Sequence, residues 1–306
     1  MKKQIGVIAD IHSNFIAFRT AVEYMEKRGI TEYFLLGDFI SDTTDTRETL
    51  KYLYRLIGRY EVYVLRGNRE EYMIGQRQVL RGLSDAPEWI CGSASGNLLY
   101  TYRLLKEGDL DFFEDLPITF RYEGKGFPDI ICCHGSPENS RELLQFDGEN
   151  TKAWLHRIDA DYLLAAHTHY QGELEFEGKH YFNTGSCGIA IGAPGLAQCL
   201  ILHGTDAEEP EGPAWNAEFL NLPYDVDAVI DAMYEKGLME TGQWFICNNI
   251  HILRTGEDYT PELIETAMKL QEEDTGEKAD WPHIEEGYFE RAAGILGIGD
   301  YRIKEG

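Results

Sequence analysis

Positive charge is scarce in this chain. Its 28 Lys and Arg stand against 53 Asp and Glu, a net charge of −25. Affinity for nucleic-acid backbones is built from Lys and Arg, so a DNA or RNA partner is not expected. A small phosphate-containing substrate stays compatible wherever a local cation offsets the global field. No stretch approaches the roughly 18 apolar residues that a membrane-spanning helix needs, which removes the membrane as a partner. No Cys-x-x-Cys pair occurs among the six cysteines, Cys91, Cys132, Cys133, Cys187, Cys199 and Cys247. The vicinal Cys132-Cys133 sits in an apolar run and reads as part of a buried, reduced strand. The N-terminus is basic and then apolar, but the apolar run is too short for a signal peptide and leads straight into Asp10. Together these absences set the expectation of a cytoplasmic globular protein. Internal repeats and low-complexity tracts are also missing. The Gly-rich loop 185–195 (GSCGIAIGAPG) is not a GxGxxG at a strand-to-helix turn, so it carries little weight as a nucleotide cradle.

What is present is alternation. An apolar run at 4–9 is followed by helical spacing of Phe15, Phe18, Val22 and Met25, with Gly29 as the stop. A second apolar run covers 32–36, a second amphipathic helix 46–57, and a third run 61–65. Strand–helix–strand order of this kind implies parallel strands. Residues 70–116 interrupt the alternation and read as a helical insertion, with helices at 70–80, 97–106 and 109–116. Strands are expected again at 117–122 and 129–133 around a Gly-rich turn at 123–127. Further strands are expected at 161–166, 172–177, 179–183, 197–203 and 215–222, with a short helix at 152–157 and an acidic Pro/Gly loop at 208–213. From Tyr224 onward the pattern becomes helical, at 225–236, 244–253, 261–272 and 283–296, with the acidic run 271–280 as a solvated loop. The expected division is a domain at 1–223 and a C-terminal helical appendage at 224–306.

The polar residues that close the apolar runs matter most. They are Asp10-x-His12, Gly37-Asp38, Gly67-Asn68, His134-Gly135 and His167-x-His169. Open α/β sheets hold ligands at the carboxyl ends of their strands. Two carboxylates, one amide and four imidazoles at such ends are a donor set for two metal ions. One Asp-x-His or one His-x-His is weak, since either could be a cap or a satisfied polar pair. Five in order, each closing an apolar run, are hard to explain by packing.

These five motifs, followed by Asn183-Thr184-Gly185-Ser186, resemble the calcineurin-like metallophosphoesterase superfamily, in order over residues 4–203. The resemblance implies an α+β fold, a two-sheet β-sandwich flanked by helices in four layers. It implies that Asp10, His12 and His169 hold one metal, that Asn68, His134 and His167 hold a second, and that Asp38 bridges them. It further implies phosphate ester or phosphoanhydride hydrolysis by a metal-bridging hydroxide, with Asp38, Asn68 and His134 at the reacting centre. Phosphodiesters, nucleotides and dinucleoside polyphosphates are the substrate classes it suggests. The donor set suits manganese, iron or zinc better than calcium.

The chain departs from the family pattern at two positions. Many members carry a histidine after the Gly-Asn, where it helps to protonate the leaving group; this chain has Arg69. Arginine donates no proton usefully near neutral pH but holds phosphate bidentately. The expected substrate therefore has a leaving group that needs little protonation. Against this stands a plain salt bridge from Arg69 to Glu70 or Glu71. Ala166 replaces a common glycine, with little consequence expected. Asn14 is expected to cap the first helix, Arg66 to be structural, and Asn183 to orient a metal-binding histidine. Trp89, Tyr100 and Tyr102 are candidates for a pocket wall, with core packing the more ordinary role. His156, His180, His203, His251 and His283 lack metal spacing. Two other readings stand beside the hydrolase: a serine/threonine protein phosphatase, disfavoured by helices that would narrow the site, and a non-catalytic metal scaffold, disfavoured because no ligand is missing. The sequence leaves the oligomeric state open.

Overall fold

The computed structural model describes residues 3–124, 126–205 and 214–304. The expected acidic loop 208–213 and position 125 of the expected turn lie outside those residues. The first strand, β1 (Lys3–Ile8), leads into helix α1 (Phe15–Lys27), strand β2 (Glu32–Leu36), helix α2 (Thr46–Arg59) and strand β3 (Glu61–Leu65). β1 pairs parallel with β2, and β2 parallel with β3. The insertion carries α3 (Asn68–Leu80), α4 (Gly96–Leu104) and α5 (Glu107–Asp115). Next come β4 (Thr119–Tyr122), β5 (Ile130–Cys133), α6 (Glu149–Arg157), β6 (Tyr162–Ala165), β7 (Gln171–Phe176) and β8 (Lys179–Thr184). The long strands β9 (Leu196–Thr205) and β10 (Ala214–Pro223) return to the first sheet.

The result is two five-stranded sheets, in the orders β10-β9-β1-β2-β3 and β4-β5-β6-β8-β7. In the second sheet β5, β6 and β8 are parallel, and β4 and β7 flank them antiparallel. Strand residues alternate between the two faces of a sheet, so each sheet offers one face to the other. Val7, Phe34, Leu200, Cys132, Leu164 and Phe182 fill the seam between them. The opposite face of the first sheet packs on Phe18, Val22, Leu50 and Leu53 from α1 and α2. The far face of the second sheet is covered from α6 by Leu155. This is the expected four-layer α+β sandwich.

Four helices follow: α7 (Val226–Glu235), α8 (Leu238–Thr255), α9 (Thr260–Thr275) and α10 (Glu286–Leu296). They build a separate apolar cluster around Met233, Ile246, Leu263 and Phe289. The expected boundaries shift here for local reasons. Helix α8 starts six residues before the expected 244 because two helical pieces join across a kink at Gln243, with φ 42°. Helix α9 runs on to Thr275, so the acidic run 271–280 is not wholly a solvated loop. Gln271 Oε1 accepts from the Glu285 N–H at 2.9 Å and Glu272 Oε1 from the Ala279 N–H at 3.0 Å, which fold the run back on itself.

The insertion is clasped by these helices at its 92–97 turn. Ser93 donates from both N–H and Oγ to the Glu286 carboxylate, at 2.7 and 2.6 Å. The Gly92 N–H donates to Thr241 O at 2.8 Å, and the Trp244 N–H to Ser93 Oγ at 2.9 Å. Gly96 passes so close to α8 that a Cβ there would sit 1.8 Å from Thr241 O. No helix among the described residues is long and apolar enough to cross a membrane.

Candidate metal centre

The ends of β1, β2, β5 and β6 meet along one rim of the two sheets. There the chain bends sharply, and the bends fall on the candidate ligands. Asp10, His12, Asp38, His167 and His169 all have left-handed backbone, with φ between 50° and 65°. Non-glycine residues adopt this conformation at a cost of about 1–3 kcal/mol each, and they cluster where function over-determines the backbone. The bends are tied to each other by main-chain bonds. Asp10 N–H donates to Gly37 O at 3.1 Å, and His12 N–H to Asp38 O at 2.9 Å. The His167 N–H donates to Asp10 Oδ2 at 3.1 Å.

Asp38 is held from both sides. Its Oδ1 accepts from the Arg69 N–H at 2.8 Å. Gly67 lies so close that a Cβ would meet that same oxygen at 2.1 Å, which explains why the position before Asn68 has no side chain. Glu70, fully buried, collects the N–H groups of Gly67, Asp38 and Phe39 at 2.8–2.9 Å. Burial first, and the charge of Asp38 second, push its pKa up to about 7.

The ligand atoms converge in two groups. Asp10, His12 and His169 form one, and Asp38, His134 and His167 the other, each with donor atoms within 4.8 Å of one another. His12 Nε2 lies 3.0 Å from His169 Nε2, and Asp10 Oδ1 is 3.5 Å from His169 Nε2. Asp38 Oδ2 sits between the groups, 3.9 Å from His12 Nε2 and 3.4 Å from His134 Nε2. Asn68 Oδ1 is 3.0 Å from His134 Nε2. All seven residues expected from the resemblance are thus side by side. Asp10 Oδ1 is buried without a hydrogen-bond partner. A buried carboxylate oxygen left bare among three imidazoles fits a cation that would satisfy it.

One imidazole has its second nitrogen anchored by a hydrogen bond, and a second lies against a carboxylate. His134 Nδ1 donates to Leu36 O at 2.7 Å, which leaves Nε2 to face the site. His12 Nδ1 lies 2.8 Å from Asp42 Oδ2. A carboxylate behind a histidine in this way fixes its tautomer and raises its basicity toward a metal. Burial opposes charge on His134, but Asp38 and Asp10 outweigh it and lift its pKa to about 10. His167 goes the other way, down to about 4, through burial and the neighbouring charge of His134. Burial also resists ionisation of Asp42, yet Arg69 and His12 draw its pKa down to about 2.

Asp42 was invisible as a candidate in the sequence. It lies four residues past Asp38, in a stretch that is neither strand nor helix, with φ 67°. Its Oδ2 meets Arg69 Nη2 at 2.9 Å, its Oδ1 accepts from Asn97 Nδ2 at 2.7 Å, and its backbone O accepts from Asn249 Nδ2 at 2.9 Å. The alternative weighed for Arg69, a salt bridge to Glu70 or Glu71, is not the one formed. Glu70 is taken up by backbone donors and Glu71 by Ser140, whose Oγ donates to it at 2.6 Å, so Asp42 is the partner. The expectations for Asn14 and Arg66 are met. Asn14 caps α1 by accepting from the Ala17 N–H at 3.1 Å. Arg66 donates to main-chain oxygens of Glu114 and Leu116. Asn183 Nδ2 donates to Ala166 O and Thr168 Oγ1 at 2.8 and 3.1 Å, bracketing His167.

A cavity of about 760 Å³ opens off this rim, and His12, Asp38, Asn68, Arg69, His167 and His169 line its floor. Trp89 and Leu98 of the insertion, Arg141, and Phe245, Ile252, Asp258 and Trp281 of the C-terminal part are among the residues of its wall. Tyr102 stands behind Trp89, edge-on at 6.2 Å, in the core role expected of it. Tyr100 packs against the cluster of the C-terminal helices.

Comparison with known proteins bears on the fold and the family. An uncharacterized curated protein of Methanocaldococcus jannaschii is 25% identical over 139 residues, which is 45% of this chain and 52% of that relative. This match thus spans about half the length of the curated relative. A hypothetical protein of Pyrococcus horikoshii OT3 superposes with a TM-score of 0.66 at 21% identity, covering 83% of this chain and 99% of the other. A metallophosphoesterase from Sphaerobacter thermophilus gives 0.61 at 18% identity, with the same coverage. These two likenesses bear on the fold. The calcineurin-like phosphoesterase family profile matches residues 3–171, more than half of the sequence. The chain belongs to the calcineurin-like phosphoesterase family.

Proposed function

We propose that this protein is a metal-dependent phosphoesterase with a dinuclear centre, acting on a small phosphodiester or phosphoanhydride inside a walled cavity. Asp10, His12 and His169 would hold one ion, His134, His167 and Asn68 the second, and Asp38 both. The observation that carries the reading is the bare, buried Oδ1 of Asp10 among three imidazole nitrogens. Two cations at such a centre neutralise phosphoryl oxygens and lower the pKa of water toward neutrality. The protein's own residues do the rest. Leu36 O fixes the tautomer of His134, and Asp42 stands against His12 Nδ1. Arg69 lines the cavity with its Nε buried and unpartnered, and its charge is secured by Asp42. It would stabilise charge on a phosphoryl group without donating a proton. The walls limit ligand size, which favours a small substrate over a phosphoprotein. The 224–304 helices would serve as that wall, as an appendage to the 1–223 domain. Manganese, iron and zinc all suit the donor set.

The test is metal analysis beside turnover of bis-p-nitrophenyl phosphate. Close to two ions per chain and metal-dependent cleavage are expected. Two bound ions with no turnover would favour the scaffold reading. For Arg69, the pH–rate profiles of wild type, Arg69→His and Arg69→Ala would be compared. An Arg69→Ala enzyme with unchanged kcat/KM would remove Arg69 from the site.

A further inference from the structure

Two guanidinium groups enter the cavity, and they are not alike. Arg69 is committed, with Asp42 at 2.9 Å and a side chain 20% exposed. Arg141 is exposed, and among the described residues no carboxylate lies within ion-pair distance of it. Arg141 is nonetheless held in place. Its guanidinium stacks 4.6 Å from the ring centroid of Tyr72, the ring that Arg69 approaches at 5.8 Å. The two cations are therefore no further apart than those two distances together. The loop that carries Arg141 is fixed by the Arg141 N–H donating to Asn139 Oδ1 at 2.9 Å, and by Ser140 Oγ on Glu71 of α3. A stacked guanidinium loses less freedom when it takes up a ligand, and its planar fork matches phosphate oxygens.

We propose that Arg141 is an anion subsite for the leaving group, and that the substrate is a phosphoanhydride with a second phosphoryl group beyond the one attacked. This rests on the phosphoesterase reading above and deepens it. The two arginines then make one account. Position 69 supplies no proton, so the leaving group must depart as a stable anion. A phosphate departs in that way from an anhydride, and it carries negative charge to where Arg141 stands free. Water adds across one P–O–P bridge. The bridging oxygen leaves with the departing phosphate, and the protons of the water pass to solvent. Arg141 touches neither the attacked phosphorus nor the metal ligands; its part is to bind the departing group.

Binding tests this without turnover. Methylenediphosphonate, whose P–C–P bridge cannot be hydrolysed, and methylphosphonate are titrated into the manganese-loaded full chain by calorimetry. Wild type is expected to prefer the diphosphonate, and Arg141→Ala to reduce that preference about tenfold, the scale of one charge-assisted hydrogen bond. Arg141→Lys should restore part of it. A preference ratio unchanged in Arg141→Ala overturns the subsite, as does a wild-type protein that does not prefer the diphosphonate. Turnover of bis-p-nitrophenyl phosphate by wild type is measured alongside. Its absence, with the Arg141-dependent ratio intact, would sink the hydrolase reading and leave the subsite standing.

Discussion

Asp42 Oδ2 stands 2.8 Å behind His12 Nδ1, on the side of the ring away from His169 and Asp10. Asp42 holds the ring and at the same time answers Arg69, Asn97 and Asn249, so it ties the metal floor to both walls of the cavity. Replacing a carboxylate behind a ligating histidine typically costs about 10–100-fold in metal affinity. Asp42→Asn is expected to weaken binding at the Asp10/His12/His169 group by that order, read from metal titrations with a chromophoric chelator. A variant with wild-type affinity would show that the contact is incidental.

Asp38→Asn should lower both metal content and rate, because one Asp38 oxygen lies within 4 Å of imidazoles from both groups. Metal analysis and bis-p-nitrophenyl phosphate turnover check it together. Full activity in Asp38→Asn would exclude a bridging role.

Metal uptake should release protons. With a pKa of about 10, His134 carries its proton at neutral pH in the metal-free protein, and His169 is shifted upward too, since Asp10 outweighs the burial that opposes its charge. A metal takes the neutral imidazole. Apparent affinity should therefore fall as pH drops below neutrality and rise toward pH 9. Calorimetry in buffers of differing ionisation enthalpy would show at least one proton released per chain at pH 7. No release would mean that His134 is already neutral.

Most of the centre was legible because parallel strands end on one edge. Asp10, His12, Asp38, His134, His167 and His169 each close such a run, or follow it within a few residues, and the fold only had to bring two sheet rims together. Asn68 was read as a strand end, yet it opens α3. What stayed hidden depended on tertiary pairing. Asp42 and Arg141 lie in irregular loops, where no period marks the direction of a side chain. The carboxylate that Arg69 meets is not among its sequence neighbours, because the fold assigns both Glu70 and Glu71 elsewhere. The early start of α8 was missed because it crosses a kink.

Gly67→Ala tests how tightly the floor is packed. The added methyl would meet Asp38 Oδ1 at 2.1 Å, so the carboxylate or the backbone must move. A loss of about 1–3 kcal/mol in stability is expected, as for other overpacked sites, together with lowered metal content. Thermal unfolding with and without added metal separates the two effects. A variant with wild-type melting and wild-type metal content would mean that the approach is looser than drawn.

The C-terminal helices build their apolar cluster largely among themselves, and meet the rest of the protein at the clasp at 92–97, at Asn249 on Asp42 O, at the Lys236–Asp45 ion pair and at the Gly192 N–H on Gly256 O. Floor and wall are in that sense two cooperative units joined by a seam. On heating, the seam is the place to part first, so the cavity should lose its shape while its floor still binds ions. An enzyme built this way would turn indiscriminate before it turned inactive. Cutting Ser93 from Glu286 by Glu286→Ala should lower the temperature at which that happens, seen as an early shoulder in the melt that added metal does not move.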